Sequence, residues 1–187
     1  VRVRTDEGIE GHAFLGSSSR SAAMDVQSLV HYLKPIVIGA DPLERERLYA
    51  AMYRKTRMTT LRAIGAVDVA LWDIAGKIAS MPISKLIGQF RNTCPAYASS
   101  AVLGRAQEYA EQAVHLKSTG WSAYKIHPPT EPELDIAVCA AVRQAVGDDC
   151  RLMLDATWSY DYPQALRVGR AIQEMNYYWY EDPLAEE

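Results

Sequence analysis

From residue 96 to residue 181 the chain repeats one unit: a brief apolar run, a turn, then three to four turns of amphipathic helix. The brief runs are AYASS, SAYKIH, RLMLDA and YYWYED, with helical periodicity over residues 106–118, 132–146 and 163–175 between them. Such an alternation builds parallel sheet, because two parallel strands need a crossover long enough to carry the chain back. Two architectures accommodate the repeat, an open doubly wound sheet or a closed eight-stranded barrel. The open, nucleotide-binding version usually carries a glycine-rich turn after its first strand. Here that segment is SSAVLGRAQE, with neither GxGxxG nor GxxxxGK[ST]. Polar residues stand instead at the downstream ends of three successive strands, which is the barrel pattern.

The preceding part has a different order. VRVRTDEGIEGHAFLG reads as a hairpin turning at TDEG, and residues 17–23 as a loop. Helical spacing through MDVQSLVHYLKPI is expected to break at Pro35, and Pro42 suits the first turn of a helix over LERERLYAAMYR. Thr59 or Thr60 can cap the longest helix, whose stripe is Leu61, Ile64, Val67, Leu71, Ile74 and Ile78. Residues 1–92 thus form a small α+β unit and residues 93–187 four βα units. Both ends look cut: residues 1–4 read as a strand already under way, and the chain stops just past another strand. Half a barrel has open sheet edges, so an intact protein of roughly twice this length is expected.

The 187 residues are 49% hydrophobic and 23% charged, with a net charge of -3, as in an ordinary soluble protein. No dense basic run is present, which argues against nucleic acid or an anionic membrane as partner. Cys94, Cys139 and Cys150 match no metal knuckle and read as reduced thiols of a cytosolic protein. No apolar stretch reaches membrane-spanning length, and VRVRTDEG lacks the apolar core of a signal peptide.

Alternation on a strand points Lys125 and His127 the same way, and likewise Asp155 with Thr157 and Trp179 with Glu181. A barrel collects Lys125, His127, Asp155 and Glu181 around one mouth. Left unpaired in a core, such groups would cost several kcal/mol each. Asp155 and Glu181, 26 residues apart, can hold a hard divalent cation such as Mg²⁺, with a third ligand expected beyond residue 187. The alternative reading is that Asp155 caps the next helix and Glu181 pairs with Lys125. Lys125 and His127 are candidate bases, the lysine if a nearby cation favours its neutral form, the histidine with less help. Such a pair suits removal of a proton beside a carboxylate. The plainer reading makes His127 a hydrogen-bonded strand end before Pro128 and Pro129. Asp68 and Asp73 read as partners for arginines at the core rim, His115 as a solvated helix residue and His31 as part of a helix that packs locally. The aromatic run 177–180 reads as alternate packing on the two sides of a strand.

These motifs together resemble the enolase superfamily, in its mandelate racemase and muconate lactonizing enzyme branch. AIGAVDVALWDIAGKIASMPISKLIG resembles the branch's long helix leading into the barrel, TDEGIEGHAF a strand pair of its capping domain, and KPIVIGADPLERERLYAAM the segment between. YKIH, LMLDATWSY and YYWYEDPL resemble the ends of barrel strands two, three and four. The resemblance implies an α+β capping domain, incomplete at its N-terminus, plus the first half of a modified TIM-type (β/α) barrel. It implies Asp155 and Glu181 as the first two of three Mg²⁺ ligands, with Asp182 where a second acid usually stands. Lys125 matches the first lysine of the family's Lys-x-Lys, and His127 stands in place of the second, commonly the base. His127 then performs that abstraction or is a spectator to a base from elsewhere. The segment 14–20 resembles the loop that closes over substrate. Substrate-binding candidates are His12, Arg20, Thr157 and Tyr160. The implied chemistry is Mg²⁺-assisted removal of the proton next to a carboxylate through an enediolate. Dehydration of a sugar acid is the first expectation. Racemisation or epimerisation of a hydroxy or amino acid is the second, and a non-catalytic relative the third. The family often forms homo-oligomers.

Overall fold

The computed structural model describes residues 1–16 and 21–185. The chain divides into two compact units, Val1–Asn92 and Thr93–Glu187. In the first, β1 (Arg2–Arg4) and β2 (Glu10–His12) pair antiparallel, with Val3 opposite Gly11. The hairpin turns at TDEG as the sequence predicts. Gly8 takes φ of 84°, and the Thr5 hydroxyl accepts the Ile9 amide at 3.0 Å.

α1 (Ala22–Gln27) runs into a π-helical turn (Ser28–Leu33) and on into α2 (Lys34–Val37). Pro35, expected to break this helix, lies inside it. A proline gives no N–H and its ring crowds the carbonyl four residues back, so a widened turn ahead of it lets the helix pass. The stop comes at Val37, ahead of Gly39 at φ of 74°. α3 (Arg45–Tyr53) begins after Pro42 rather than on it. Pro42 belongs to the preceding turn, where the Asp41 carboxylate accepts the Leu43 amide at 2.8 Å.

α4 (Leu61–Ile78) is capped by Thr60, whose hydroxyl accepts the Ala63 amide at 3.1 Å and donates to buried Asp25 at 2.9 Å. Ile64, Val67, Leu71 and Ile74 of its stripe are buried against Leu33, Leu48 and Met52, while Leu61 and Ile78 at the ends are exposed. Asp68 pairs with Arg45 at 2.8 Å, and Asp73 pairs with Lys77 at 2.7 Å rather than with an arginine. A Cβ on Gly11 of β2 would stand 2.0 Å from the Ala70 carbonyl oxygen of α4. Gly11→Ala is therefore expected to destabilise this unit by about 3 kcal/mol. An unchanged thermal midpoint would contradict that close approach. A short helix, α5 (Ile83–Leu86), follows Pro82.

The second unit alternates β3 (Ala98–Ser99), α6 (Ala106–Ser118), β4 (Ala123–Ile126), α7 (Pro132–Val146), β5 (Arg151–Asp155), α8 (Tyr162–Glu174) and β6 (Trp179–Glu181). All four strands are parallel and lie in the order β3-β4-β5-β6. Each strand sits beside its successor with no reversal of direction, which is how a barrel winds and not how a doubly wound sheet does. One face of the sheet packs Tyr124, Ile126, Leu152 and Leu154 against Tyr109, Val138, Val142, Val168 and Ile172 of the helices. Asp161 caps α8, accepting the Gln164 amide at 2.8 Å, so Asp155 is not its cap.

Within that apolar layer Asp135 is fully buried, and burial pushes its carboxyl up from the usual range. It accepts the Tyr160 hydroxyl and, at 3.1 Å, the Thr130 amide. Tyr160→Phe leaves that carboxylate short of a donor and is expected to lower stability by about 2 kcal/mol. Denaturant unfolding with an unshifted midpoint would show the bond to be dispensable. Cys139 and Cys150 are buried and free, Cys94 exposed and free. Among the described residues no helix is long and apolar enough to cross a membrane.

Candidate active site

The face of the sheet opposite the helices carries the polar residues. Lys125 pairs in register with Met153, Met153 with Trp179, and Asp155 with Glu181. Lys125 thus leaves its strand one layer below the two carboxylates, and its four-carbon stem carries the ammonium up to them. Nζ lies 2.9 Å from Asp155 Oδ2 and 2.9 Å from Glu181 Oε2. His127, just past the end of β4, brings Nε2 to 3.0 Å from the same Asp155 oxygen. Four side chains from three strands therefore meet at one place, as the sequence predicts.

Their burial differs. The side chains of Lys125 and Asp155 are each 9% exposed, that of His127 26% and that of Glu181 36%. Burial alone would lower the lysine's pKa, but hydrogen bonds and charge from Asp155 and Glu181 outweigh it and raise the pKa. With only the two acids beside it the lysine favours its ammonium form, whereas the neutral form was expected beside a bound cation. Burial raises the Asp155 carboxyl, but Lys125, the Thr157 amide and His127 together bring it below the usual range. The plain reading that Glu181 pairs with Lys125 holds as geometry, while the capping role for Asp155 does not.

The chain leaves β5 under strain. Thr157 and Trp158 take φ of 49° and 60°, a left-handed pair without glycine. Backbone bonds hold it there: the Trp158 amide donates to the Asp182 carbonyl at 2.7 Å, and the Thr157 amide to Asp155 Oδ1 at 3.1 Å. The turn thereby fixes one oxygen of Asp155 and leaves the other to Lys125 and His127. On β6 the Trp179 indole N–H donates to Glu181 Oε2 at 3.1 Å, and Tyr97 meets Trp179 edge-on at 5.3 Å.

The remaining sequence candidates fall elsewhere. Thr157 touches Asp155 through its amide, while its hydroxyl lies 3.5 Å from Ser159 Oγ in the exposed loop. Tyr160 is not a substrate contact: its ring is buried in the core on the helix side and its hydroxyl belongs to Asp135. His12 lies on β2 of the first unit, exposed, with its amide donating to Asp73 at 2.8 Å. Arg20 lies outside the described residues. Of the aromatic run, Trp179 and Tyr180 on the strand alternate, Trp179 on the polar face and Tyr180 on the core, while Tyr177 ahead of the strand also packs on the core and Tyr178 is exposed. Sequence reasoning missed Ser100, Trp179 and Tyr97 as supports of the site. Alternation had placed Trp179 on the face of Glu181 without giving it a role, and the doublet Ser99-Ser100 at a strand end was not distinctive.

The donor chemistry fits a hard divalent cation. Two carboxylates from neighbouring strands already converge on one positive charge, and Mg²⁺ prefers such oxygen ligands. Among the described residues no group of three or more His, Cys, Asp and Glu is placed to hold a metal ion.

Comparison with known proteins decides the relationship. Residues 1–88 match the family described as "Mandelate racemase / muconate lactonizing enzyme, N-terminal domain", and residues 108–187 the one described as "Enolase C-terminal domain-like". The chain belongs to the enolase superfamily, in its mandelate racemase and muconate lactonizing enzyme branch. Its two units are accordingly a capping domain and part of a (β/α) barrel. Among superfamily relatives, D-galactarolactone cycloisomerase of Agrobacterium fabrum is 32% identical, matching 100% of this chain and 51% of its own. D-glucarate dehydratase from Agrobacterium tumefaciens, solved with magnesium, superposes with a TM-score of 0.83 at 33% identity, over 98% of this chain and 51% of that one. A racemase from Streptomyces coelicolor, also solved with bound magnesium, gives a TM-score of 0.90 at 26% identity, over 98% and 54%. The chain spans about half the length of the curated relatives it matches.

Proposed function

We propose that this protein removes the proton next to a carboxylate of a hydroxylated acid and then expels the neighbouring hydroxyl as water, a sugar-acid dehydratase. The observation that carries the reading is the meeting of Lys125, His127, Asp155 and Glu181 at the ends of β4, β5 and β6. Asp155 and Glu181 would hold Mg²⁺, which when bound supplies positive charge to an enediolate. Lys125 remains an ammonium between the acids and neutralises charge on a substrate carboxylate. His127 is the base, because it is the more exposed of the two nitrogen groups and stands at the rim of the cluster. Its Nε2 takes the α-proton and the C–H electron pair enters the carboxylate; that pair then returns to form the Cα–Cβ double bond as the β-hydroxyl leaves, taking the proton back from the His127 imidazolium to become water. The resulting enol becomes a 2-keto-3-deoxy acid.

Relatives named as a dehydratase and a cycloisomerase of sugar acids support this class of substrate. The test is incubation with aldonic and aldaric acids and Mg²⁺ in deuterated water, followed by proton NMR. Loss of water with a new keto-deoxy product is expected. An epimerised substrate without loss of water would favour a racemase, and an unchanged, unlabelled substrate would remove the catalytic reading.

A further inference from the structure

We infer that Trp179 is the positioning residue that holds the carboxylate of Glu181 in place for a divalent cation. Its indole N–H fixes one carboxylate oxygen, and the ring of Tyr97 fixes the indole. The inference rests on reading Glu181 as a metal ligand and adds how that ligand is aimed. A glutamate carboxylate turns about one more bond than an aspartate's, so without a partner it spreads over several rotamers. A ligand that must first be ordered gives the cation less binding energy.

The two acids are held by different means. Asp155 has a backbone donor, the Thr157 amide at 3.1 Å from Oδ1. Among the described residues Glu181 has none, and its donors are Lys125 at 2.9 Å and the Trp179 indole at 3.1 Å, both on Oε2. Lys125 is shared with Asp155, also at 2.9 Å, and its flexible stem can follow either acid. The indole serves Glu181 alone. It only donates and carries no titrating charge, so its part in the contact needs no choice of tautomer or protonation. Trp179 and Glu181 stand two residues apart on β6, on one face, so the backbone itself sets the reach. Tyr97 comes from the other edge of the sheet, just ahead of β3. In a flat sheet β3 and β6 would lie about 14 Å apart, three strand spacings. The two rings nevertheless meet at 5.3 Å between centroids, with their planes at 80°. Side chains stand roughly perpendicular to a sheet, so this meeting follows from a sheet curled toward its polar face. An edge-on contact of this kind gives a ring a preferred orientation. The Lys125 ammonium, 5.6 Å from the Tyr97 centroid, borders the same pair of rings.

The experiment has two arms. The first is ¹H–¹⁵N NMR of the four indole N–H groups, with Trp179 assigned from its sequential neighbours. Glu181→Ala removes the acceptor and is expected to move the Trp179 signal upfield and speed its exchange with solvent. A signal that stays in place overturns the proposal, and this arm needs neither metal nor a variant of Trp179. The second arm is calorimetric titration of Mg²⁺. Trp179→Phe keeps a ring against Tyr97 and loses the donor, and it is expected to raise the Kd ~10- to 100-fold, as for loss of a hydrogen bond behind a metal ligand. A wild-type Kd in a folded Trp179→Phe protein also overturns it. Should the wild-type protein bind no Mg²⁺ while the indole signal moves as expected, the hold on Glu181 stands and the reading of that acid as a ligand falls.

Discussion

Replacing Glu181 by glutamine is expected to lower turnover by ~10³-fold or more, equivalent to about 4 kcal/mol of lost transition-state stabilisation. Asp155→Asn should do the same. The argument runs from charge. Both acids lend an oxygen to one point, and an amide keeps the shape but removes the full negative charge that a hard cation requires. The fold should survive Glu181→Gln, because Glu181 is the more exposed acid and Lys125 keeps Asp155 at 2.9 Å. Steady-state rates across a range of Mg²⁺ concentrations would check this. Near-wild-type turnover at low Mg²⁺ would mean that Glu181 has no part in metal binding.

His127→Asn is expected to lower exchange of the α-proton by ~10²- to 10⁴-fold, the usual contribution of a positioned general base. Asparagine keeps the backbone amide bonded to Ser100 Oγ, so the strand end should stay where it is. The comparison isolates the ring nitrogen from the architecture around it. Deuterium wash-in measured by NMR, with Mg²⁺ affinity as the control, reads the effect. Full exchange in the variant would make His127 a spectator and return the role of base to another group.

The parts of this protein legible in its sequence are those set by local rules. Alternation on short strands put Lys125, His127, Asp155 and Glu181 on one face, and each helix of the second unit lies within a residue or so of its periodicity. The errors share a cause, in that a local rule met a tertiary contact. Pro35 passes through a helix because a π turn absorbs it. Tyr160 follows a strand carrying a site residue, yet two left-handed residues reverse the chain and turn its ring into the core beside Asp135. Ser100 was invisible because its Oγ accepts the His127 amide of a neighbouring strand 27 residues away. A hydrogen bond across a parallel sheet leaves no periodic trace.

The central claim is that the acids at the ends of β5 and β6 together bind one divalent ion. Calorimetric titration of Mg²⁺ into the protein and into the Asp155→Asn, Glu181→Gln double variant tests it most directly. A saturable single-site isotherm lost in the double variant is predicted; the same isotherm in both proteins, or none in either, would contradict it.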